Sequence, residues 1–201
     1  ADLFIDLIGT STEKMENALH QLEQMLENSQ RPIALRNFDC EQMINGVISK
    51  YRDEIQAAGI DVTVTIKSPI SFSCDEPRLR LILVHLFENA IAFRDKTKNR
   101  NTISICVENI NPGYRCTISD NGIGIMPEAL DNIFRLFYRG SEQSTGAGVG
   151  LYIVREAVEK MHGSISVESE EGVGTTFTFL LPGCGSMKPT VAPGCDTSLP
   201  A

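Results

Sequence analysis

The pattern of apolar and polar side chains predicts a long helix at the start of the chain. Over residues 2–29, apolar side chains recur at steps of three and four and form one narrow stripe. The stripe comprises Met15, Ala18, Leu19, Leu22, Met25 and Leu26. A stripe this narrow is typical of a helical hairpin or a coiled-coil seam, so we expect a partner helix to cover it. Pro32 follows the helix and stops it, because proline disfavours helical geometry at the residue before it.

Two further helices and two strands are predicted in the middle of the chain. Asp39 is an N-cap for a helix that extends to residue 58, and Asp75 caps another that extends to about residue 94. Between these helices, residues 60–66 alternate apolar and polar side chains, which predicts a strand. Residues 71–74 are expected to form a short partner strand beside it.

The rest of the chain predicts a sheet with one more helix. The elements are a hairpin of residues 102–108 and 114–119, a helix over 149–161, and strands at 164–169 and 175–181. Residues 120–147 are glycine-rich and loop-like, with a short helical patch over 128–137. This order predicts an α+β fold, a two-layer α/β sandwich whose mixed sheet carries helices on one face, preceded by the long helix.

Composition narrows the classes of function. The 201 residues include 18 basic and 26 acidic side chains, and the net charge of −8 argues against a nucleic-acid partner, which needs a basic surface. No apolar run has the length of a membrane span and no signal-peptide pattern opens the chain, so a membrane is expected only through upstream segments. The six cysteines include no C-x-x-C pair, which favours reduced thiols and a cytoplasmic location.

A glycine-rich turn before the last predicted helix is the first candidate for chemistry. Gly146, Gly148 and Gly150 occupy alternate positions at the start of the helix over residues 149–161. Such glycines let the backbone approach a ligand closely, and amides at a helix N-terminus favour an anion such as a triphosphate. The alternative is a flexible loop that only caps the helix.

The second candidate follows the predicted strand over residues 114–119. Asp120 places a carboxylate at the strand end, where it can accept a hydrogen bond from an exocyclic amine such as that of adenine. Gly122 and Gly124 are expected to leave room for a flat ring. An ordinary Asp-Asn-Gly turn explains the dipeptide but not glycine at both of these positions.

The third candidate lies on the helix that Asp75 caps. Glu88 and Asn89 are polar residues on an otherwise apolar helix, and asparagine has a poor helix propensity, so a use for it is expected. The amide oxygen of Asn89 is the type of ligand that Mg²⁺ prefers when it accompanies phosphates. A solvated helix face is the alternative.

These patterns, in this order, resemble the ATP-binding catalytic domain of bacterial sensor histidine kinases, within the wider Bergerat-fold group that includes gyrase, Hsp90 and MutL. The resemblance covers residues 37–182. It comprises an asparagine box at 86–90, a glycine box at 120–125, a phenylalanine box at 133–139, a glycine-rich segment at 146–154 and a closing segment at 174–177. Each box is weak alone, whereas five in the right order and spacing are specific.

The resemblance implies a protein-histidine kinase with ATP and Mg²⁺ as cofactors. Asn89 would hold the metal, Asp120 would accept from the adenine amine, and Thr175 would support the same ring. Phe93 would pack near the adenine, and Arg139 would supply a cation to the γ-phosphate, where electrostatic stabilisation dominates phosphoryl transfer.

The remaining site residues are also implied by the resemblance. Those expected to contact the nucleotide are Gly122, Gly124, Tyr138, Gly146, Gly148, Val149, Gly150 and Leu151. Glu88 joins Arg139 as a candidate catalytic residue, and His85 joins Asn89 as a candidate metal ligand. Phe134 and Phe137 are expected to be packing anchors of an ATP lid, which the Gly, Ser and Thr content of residues 141–148 predicts to be mobile.

We expect three parts of the chain. Residues 1–31 resemble the second helix of a dimerisation hairpin, and the resemblance assigns residues 37–182 to the ATP-binding catalytic domain. Residues 183–201 are rich in Gly, Pro, Ser and Thr and are expected to be a disordered tail. The implied partners are a second copy of the chain, through the N-terminal helix, and the receiver domain of a response regulator.

The chain departs from the family pattern at the phosphoacceptor and at the asparagine box. None of its histidines stands in the H-E-x-x-x-P-like setting of the acceptor, so we expect it to transfer the γ-phosphoryl to a histidine absent from this chain. His85 stands where sensor kinases commonly have asparagine, and Ala92 where they often have a phosphate-contacting lysine. The neighbouring cations that could replace that lysine are Arg94, Lys96 and Lys98.

These departures leave a second interpretation open. A degenerate, non-catalytic module of a signalling protein would use the same fold for nucleotide binding or dimerisation. A third, an ATPase of the Hsp90 or MutL class, is disfavoured because His85 fills the position of the water-activating glutamate of that group.

Overall fold

The computed structural model describes residues 2–67, 72–140 and 146–183. In its first half lie α1 (Asp2–Gln30), β1 (Arg36–Phe38), α2 (Cys40–Lys50), α3 (Arg52–Ala58), β2 (Ile60–Lys67), β3 (Phe72–Cys74) and α4 (Glu76–Ala92). The second half contains β4 (Asn101–Asn109), β5 (Tyr114–Asp120), α5 (Pro127–Leu130), α6 (Gly150–Lys160), β6 (Ser164–Glu170) and β7 (Gly174–Leu181). The expected tail, from residue 184 onwards, and residues 141–145 of the expected lid lie outside the described residues.

A five-stranded sheet in the order β2-β4-β5-β7-β6 forms one layer of the fold. Only the β2–β4 pair is parallel; the other three pairs are antiparallel. Alternate side chains of the central strands, such as Ile105, Ile118 and Phe179, are buried against α2, α4 and α6. The mixed sheet with helices on one face therefore confirms the predicted α+β sandwich.

The predicted caps and helices are confirmed, with one break. Asp39 and Asp75 accept hydrogen bonds from the backbone amides of Gln42 and Arg78, respectively, as N-caps do. The single helix predicted over residues 39–58 is wrong, because the backbone leaves helical geometry at Tyr51 and divides it into α2 and α3. Tyr51 stacks near Phe87 and donates its hydroxyl to Glu88, a tertiary role that helix periodicity does not report.

The strand predicted over residues 71–74 exists, but its expected partner was wrong. β3 pairs with β1, which lies immediately after the first helix and its linker, and both strands belong to a separate two-stranded sheet. β1 has only three residues, too few for an alternating pattern to emerge. The helical patch expected over residues 128–137 is likewise reduced to the four-residue α5, followed by turns.

A buried ionic cluster attaches the end of α1 to the start of α4. Arg78, only 1% exposed, donates to Asp75 Oδ2 at 2.6 Å and to Asn28 Oδ1 at 2.9 Å. Arg31 donates to the other oxygen of Asp75 at 2.6 Å. Charges removed from water need such partners, so this cluster ties the helix to the sandwich.

The predicted apolar stripe of α1 is exposed for part of its length. Met15, Leu19 and Leu26 are between 57% and 63% exposed, and Leu22 is 38% exposed. In the described part of the chain, no helix combines the length and apolarity needed to cross a bilayer.

Candidate functional site

Asp120 and Thr175 meet at the end of the sheet. Asp120 is the last residue of β5 and pairs in register with Thr175 at the start of β7. The Asp120 carboxylate accepts a hydrogen bond from the Gly122 amide at 2.8 Å. Burial raises the pKa of Asp120 to about 6, although the amides of Gly122 and Thr175 and the charge of Lys98 oppose this shift. A poorly solvated acceptor at a strand end is suited to a neutral donor such as an amine.

Gly122 and Gly124 have a physical role different from the one predicted. A Cβ on Gly122 would lie 2.4 Å from the Phe93 carbonyl oxygen. Gly124 has a φ of +71°, and a Cβ there would lie 2.1 Å from the carbonyl oxygen of Glu170. The space that these glycines leave is therefore occupied by backbone, and they fix the loop between the end of α4 and the β6–β7 turn.

Lys98 holds the same loop from another side. Its ammonium group donates to the carbonyl oxygen of Asn121 at 2.7 Å, that of Gly122 at 3.3 Å and that of Val173 at 3.1 Å. An ammonium group has three donors, so these three carbonyls use them all. The expectation that Lys98 could neutralise phosphate is therefore not supported, and the residue instead positions the loop beside Asp120.

Two candidate site residues lie near the end of α4. Asn89 is half-buried, and Phe93, also half-buried, follows the helix as its C-cap. The Ile123 amide donates to the Phe93 carbonyl at 3.0 Å, which joins the end of α4 to the glycine loop after Asp120. These contacts bring the asparagine-containing helix and the Asp120 loop to one region.

Glu88 is held by neighbours within the protein. Its Oε1 accepts the Tyr51 hydroxyl at 2.7 Å, and its Oε2 lies 3.6 Å from His85 Nδ1. Burial raises the pKa of Glu88, but the interactions with His85 and Tyr51 outweigh it and hold that pKa below its usual value. Glu88 is therefore an ionised group that orients His85.

His85 connects three helices. It is 4% exposed, and its Nε2 lies 3.1 Å from Gln24 Oε1 of α1. Its Nδ1 faces Glu88, and a Cβ on Gly150, the first residue of α6, would lie 3.4 Å from that nitrogen. Both ring nitrogens have protein neighbours, which suits a positioning residue better than a metal ligand.

Only one of the two candidate metal ligands fits Mg²⁺. Among residues 2–67, 72–140 and 146–183, no three His, Cys, Asp or Glu side chains are grouped as a metal site. Mg²⁺ beside phosphates needs only one or two protein oxygens and keeps several waters. The half-buried amide of Asn89 supplies such an oxygen, whereas the imidazole of His85 is engaged elsewhere.

The start of α6 carries the glycine-rich candidates. Gly148 has a φ of +74°, and its carbonyl accepts from the Phe137 amide at 2.9 Å. Val149 is 1% exposed, and Leu151 is half-buried. Gly146 is exposed, with nothing within 4 Å of the position of a Cβ, so the described surroundings do not require glycine there.

Of the two phenylalanines in the phenylalanine box, only Phe134 is packed against the described residues. Phe134 is half-buried and meets Phe177 edge-on at 6.3 Å between ring centroids, as expected of an anchor. Phe137 is 62% exposed, so its expected packing role is wrong for the described residues. Tyr138 is half-buried, and Arg139 is exposed beside the start of the undescribed segment at 141–145.

Several contributors to the site were not predicted from the sequence. Tyr51 lies in the helix predicted over residues 39–58 and Gln24 in α1, and the sequence marks neither as a site residue. Ser169 contacts both Thr175 and the Ile125 amide, although nothing in its strand marks it. Each of these residues acts across the fold, and short-range patterns carry no signal for that.

Comparison with known proteins identifies the family. Residues 74–184 match the model of the histidine kinase-, DNA gyrase B-, and HSP90-like ATPases. The chain belongs to this family. The sensor-like histidine kinase SenX3 of Mycobacterium tuberculosis is 30% identical over 161 residues, 78% of this chain and 38% of that protein. The sensor protein SrrB of Staphylococcus aureus is 36% identical over 138 residues, 66% of this chain and 23% of that protein.

The solved structures agree with the sequence relatives. A crystal structure of full-length ShkA in complex with AMPPNP has a TM-score of 0.73 and 26% identity, and the match covers 86% of this chain and 36% of that one. The chain therefore carries the ATP-binding catalytic domain of the histidine kinase type. It spans less than half the length of each of these relatives.

Proposed function

We propose that this chain binds Mg-ATP between α4, α6 and the Asp120 loop and donates the γ-phosphoryl group to a histidine outside the chain. Asp120 and Thr175 hold the adenine, and Phe93 packs near it. The triphosphate lies at the start of α6, with Asn89 on the metal. Bound Mg²⁺ neutralises phosphate charge during the transfer.

The uncapped start of α6 carries this proposal. Asp39 and Asp75 cap α2 and α4 with their carboxylates, whereas the N-cap of α6 is Val149, which makes no such bond. The first turn of α6 consists of Gly, Leu, Tyr and Ile. Neither the N-cap nor the first turn of α6 supplies a side-chain acceptor for these amides, and the helix dipole favours a phosphate there.

The packing of α4 on α6 supports the placement of the metal. His85 abuts Gly150, and Asn89 lies one turn further along the same face of α4. That spacing supports a metal at Asn89 beside phosphates bound by Gly148, Val149, Gly150 and Leu151. The exposed Arg139 is the proposed cation for the γ-phosphate, and Tyr138 and Gly146 are proposed to border the nucleotide.

The proposed catalytic role of Glu88 is indirect. Its carboxylate faces Tyr51 and His85, so it orients the imidazole that lies between Gln24 of α1 and Gly150 of α6. Glu88 is therefore proposed as a positioning residue for the transfer. The relatives found by comparison are sensor kinases and give no support to the non-catalytic alternative.

The proposed partners follow from α1 and from the family. Met15, Leu19, Leu22 and Leu26 are spaced by four, three and four residues, the repeat of a coiled-coil seam. We propose that a second copy of the chain covers this stripe. A response regulator receiver domain is proposed to take the phosphoryl group onward.

Calorimetric titration with AMPPNP, with and without Mg²⁺, tests the proposal. The chain is expected to bind the nucleotide, and Asn89→Ala is expected to remove most of the Mg²⁺ dependence while nucleotide binding alone persists. Asn132→Ala, a half-buried asparagine on the turn after α5, is the matched control. Equal Mg²⁺ dependence in wild type and Asn89→Ala would contradict the metal assignment.

Incubation with γ-labelled ATP tests the direction of transfer. The chain alone is expected to gain no acid-labile label, because none of its three histidines, the exposed His20 and His162 and the buried His85, stands in an acceptor motif. Label on this chain would contradict transfer to an external histidine.

A further inference from the structure

Three neighbouring strands place Asp120, Thr175 and Ser169 in one row. Asp120 of β5 pairs with Thr175 of β7, which pairs with Ser169 of β6. Directly paired residues of neighbouring strands have their side chains on the same face of a sheet. The next residue of the row is Ile103 of β4, which is buried against the helices. The row therefore lies on the helix-covered face, at the end of the sheet proposed to bind the adenine.

The Ser169 hydroxyl has three polar neighbours. It donates to the Gly174 carbonyl at 2.8 Å, accepts from the Ile125 amide at 2.9 Å and lies 2.9 Å from Thr175 Oγ1. A hydroxyl has one proton and two lone pairs. Because a carbonyl oxygen can only accept, the proton of Ser169 is used by Gly174. The contact with Thr175 must then be a bond in which Thr175 donates and Ser169 accepts.

This direction determines what Thr175 can offer a ligand. Its only hydroxyl proton points to Ser169, so Thr175 Oγ1 presents lone pairs and can only accept. The Asp120 carboxylate in the same row is also an acceptor, as the hydrogen bond from the Gly122 amide shows. Two acceptors side by side match an exocyclic amine, whereas a carbonyl in the same place would meet lone pairs on both sides.

We infer that Ser169 determines base specificity by fixing the hydroxyl of Thr175 as an acceptor, so that the site selects 6-aminopurines over 6-oxopurines. The inference rests on the proposed adenine position at Asp120. Ser169 does not need to touch the base. It acts through Thr175 and is a positioning residue.

The test compares ATP with inosine triphosphate, in which a carbonyl replaces the 6-amine. Dissociation constants for both, with Mg²⁺, are measured by calorimetry for the wild-type chain, Ser169→Ala and Ser166→Ala. Ser166→Ala is the matched control, because Ser166 is an exposed serine of the same strand whose hydroxyl donates to the Thr178 carbonyl, outside the row.

Ser169→Ala frees the Thr175 hydroxyl to donate, so the ATP preference is expected to fall about five-fold, the effect of one neutral hydrogen bond. Ser166→Ala is expected to keep the wild-type preference.

Two further variants guard against a purely structural effect. Ser169→Thr keeps the hydroxyl and is expected to restore the wild-type preference. Thr175→Val removes the acceptor itself and is expected to lower the preference for ATP by a similar factor. This variant provides the test if Ser169→Ala does not fold. An unchanged ATP preference in Ser169→Ala or in Thr175→Val overturns the inference. If the wild-type chain binds neither nucleotide, the proposed function is contradicted as well. If ATP binding depends on Asp120 but the preference for ATP over inosine triphosphate does not depend on Ser169, only this inference is contradicted.

Discussion

Replacing Asp120 by asparagine is expected to stabilise the unliganded fold at neutral pH. The pKa of Asp120 is raised from 3.8 to about 6, chiefly by burial. One pKa unit corresponds to about 1.4 kcal/mol, so the ionised carboxylate reduces the stability of the folded state by up to about 3 kcal/mol. Asparagine resembles the protonated carboxyl and carries no such cost. A buried charge that lowers the stability of the unliganded fold but serves ligand binding is typical of the trade-off between stability and function.

The sign of the pH dependence follows from the raised pKa. The folded state holds the Asp120 proton more tightly than the unfolded state does, so this contribution to stability is fully present below pH 3.8. It is lost as the pH rises through about 6. The gain from Asp120→Asn is therefore expected to be near zero at pH 4 and to reach its full size at pH 7.5.

Urea denaturation of both proteins between pH 4 and pH 7.5, without nucleotide, measures this difference. All other titrating groups are common to the two proteins, so the difference isolates Asp120. A gain in unfolding free energy that is independent of pH, or a loss at pH 7.5, would contradict the raised pKa of Asp120. The same substitution is expected to abolish tight nucleotide binding.

Two further predictions concern the attachment of α1 and the glycine loop. Arg78→Leu leaves the Asp75 carboxylate buried without its main partner and is expected to lower the unfolding free energy by about 3–5 kcal/mol in urea denaturation. The control Arg80→Leu removes a partly exposed ion pair and is expected to lower the unfolding free energy by less than about 1 kcal/mol. Equal effects of the two substitutions would contradict the role of the buried cluster. Gly124→Ala places a Cβ against backbone at a positive φ and is expected to lower both the unfolding free energy and the affinity for AMPPNP. In the control Gly172→Ala the φ of +76° is similar but the space is open, so we expect a loss of only about 1 kcal/mol in unfolding free energy and an unchanged affinity. Equal losses of affinity would show that the close approach at Gly124 is unimportant.

The parts of the fold that could be predicted are those determined by local pattern. Asp39 and Asp75 are good N-caps because their side chains reach amides three residues away. Each of them therefore predicts where its helix begins. The hairpin of β4 and β5 follows from alternation on both sides of a turn. The break at Tyr51 and the pairing of β1 with β3 depend on contacts between distant segments, which periodicity does not contain.

In the candidate site, too, local pattern predicts some residues, whereas others depend on contacts between distant segments. Asp120 was placed correctly at a strand end, because the strand pattern before it is strong. The function of His85 could not be read from its own segment, since its partner Gln24 lies 61 residues away. Ser169 was missed because a serine on an edge strand is ordinary, and only its contacts with Ile125 and Thr175 distinguish it.

A crystal structure of this chain with AMPPNP and Mg²⁺ would show whether the proposed site is where the nucleotide binds. We expect the adenine amine within hydrogen-bonding distance of Asp120, phosphate oxygens on the amides at the start of α6, and the metal on Asn89 Oδ1. A nucleotide bound elsewhere, or side chains of the protein filling the space between Asp120 and the start of α6, would contradict it.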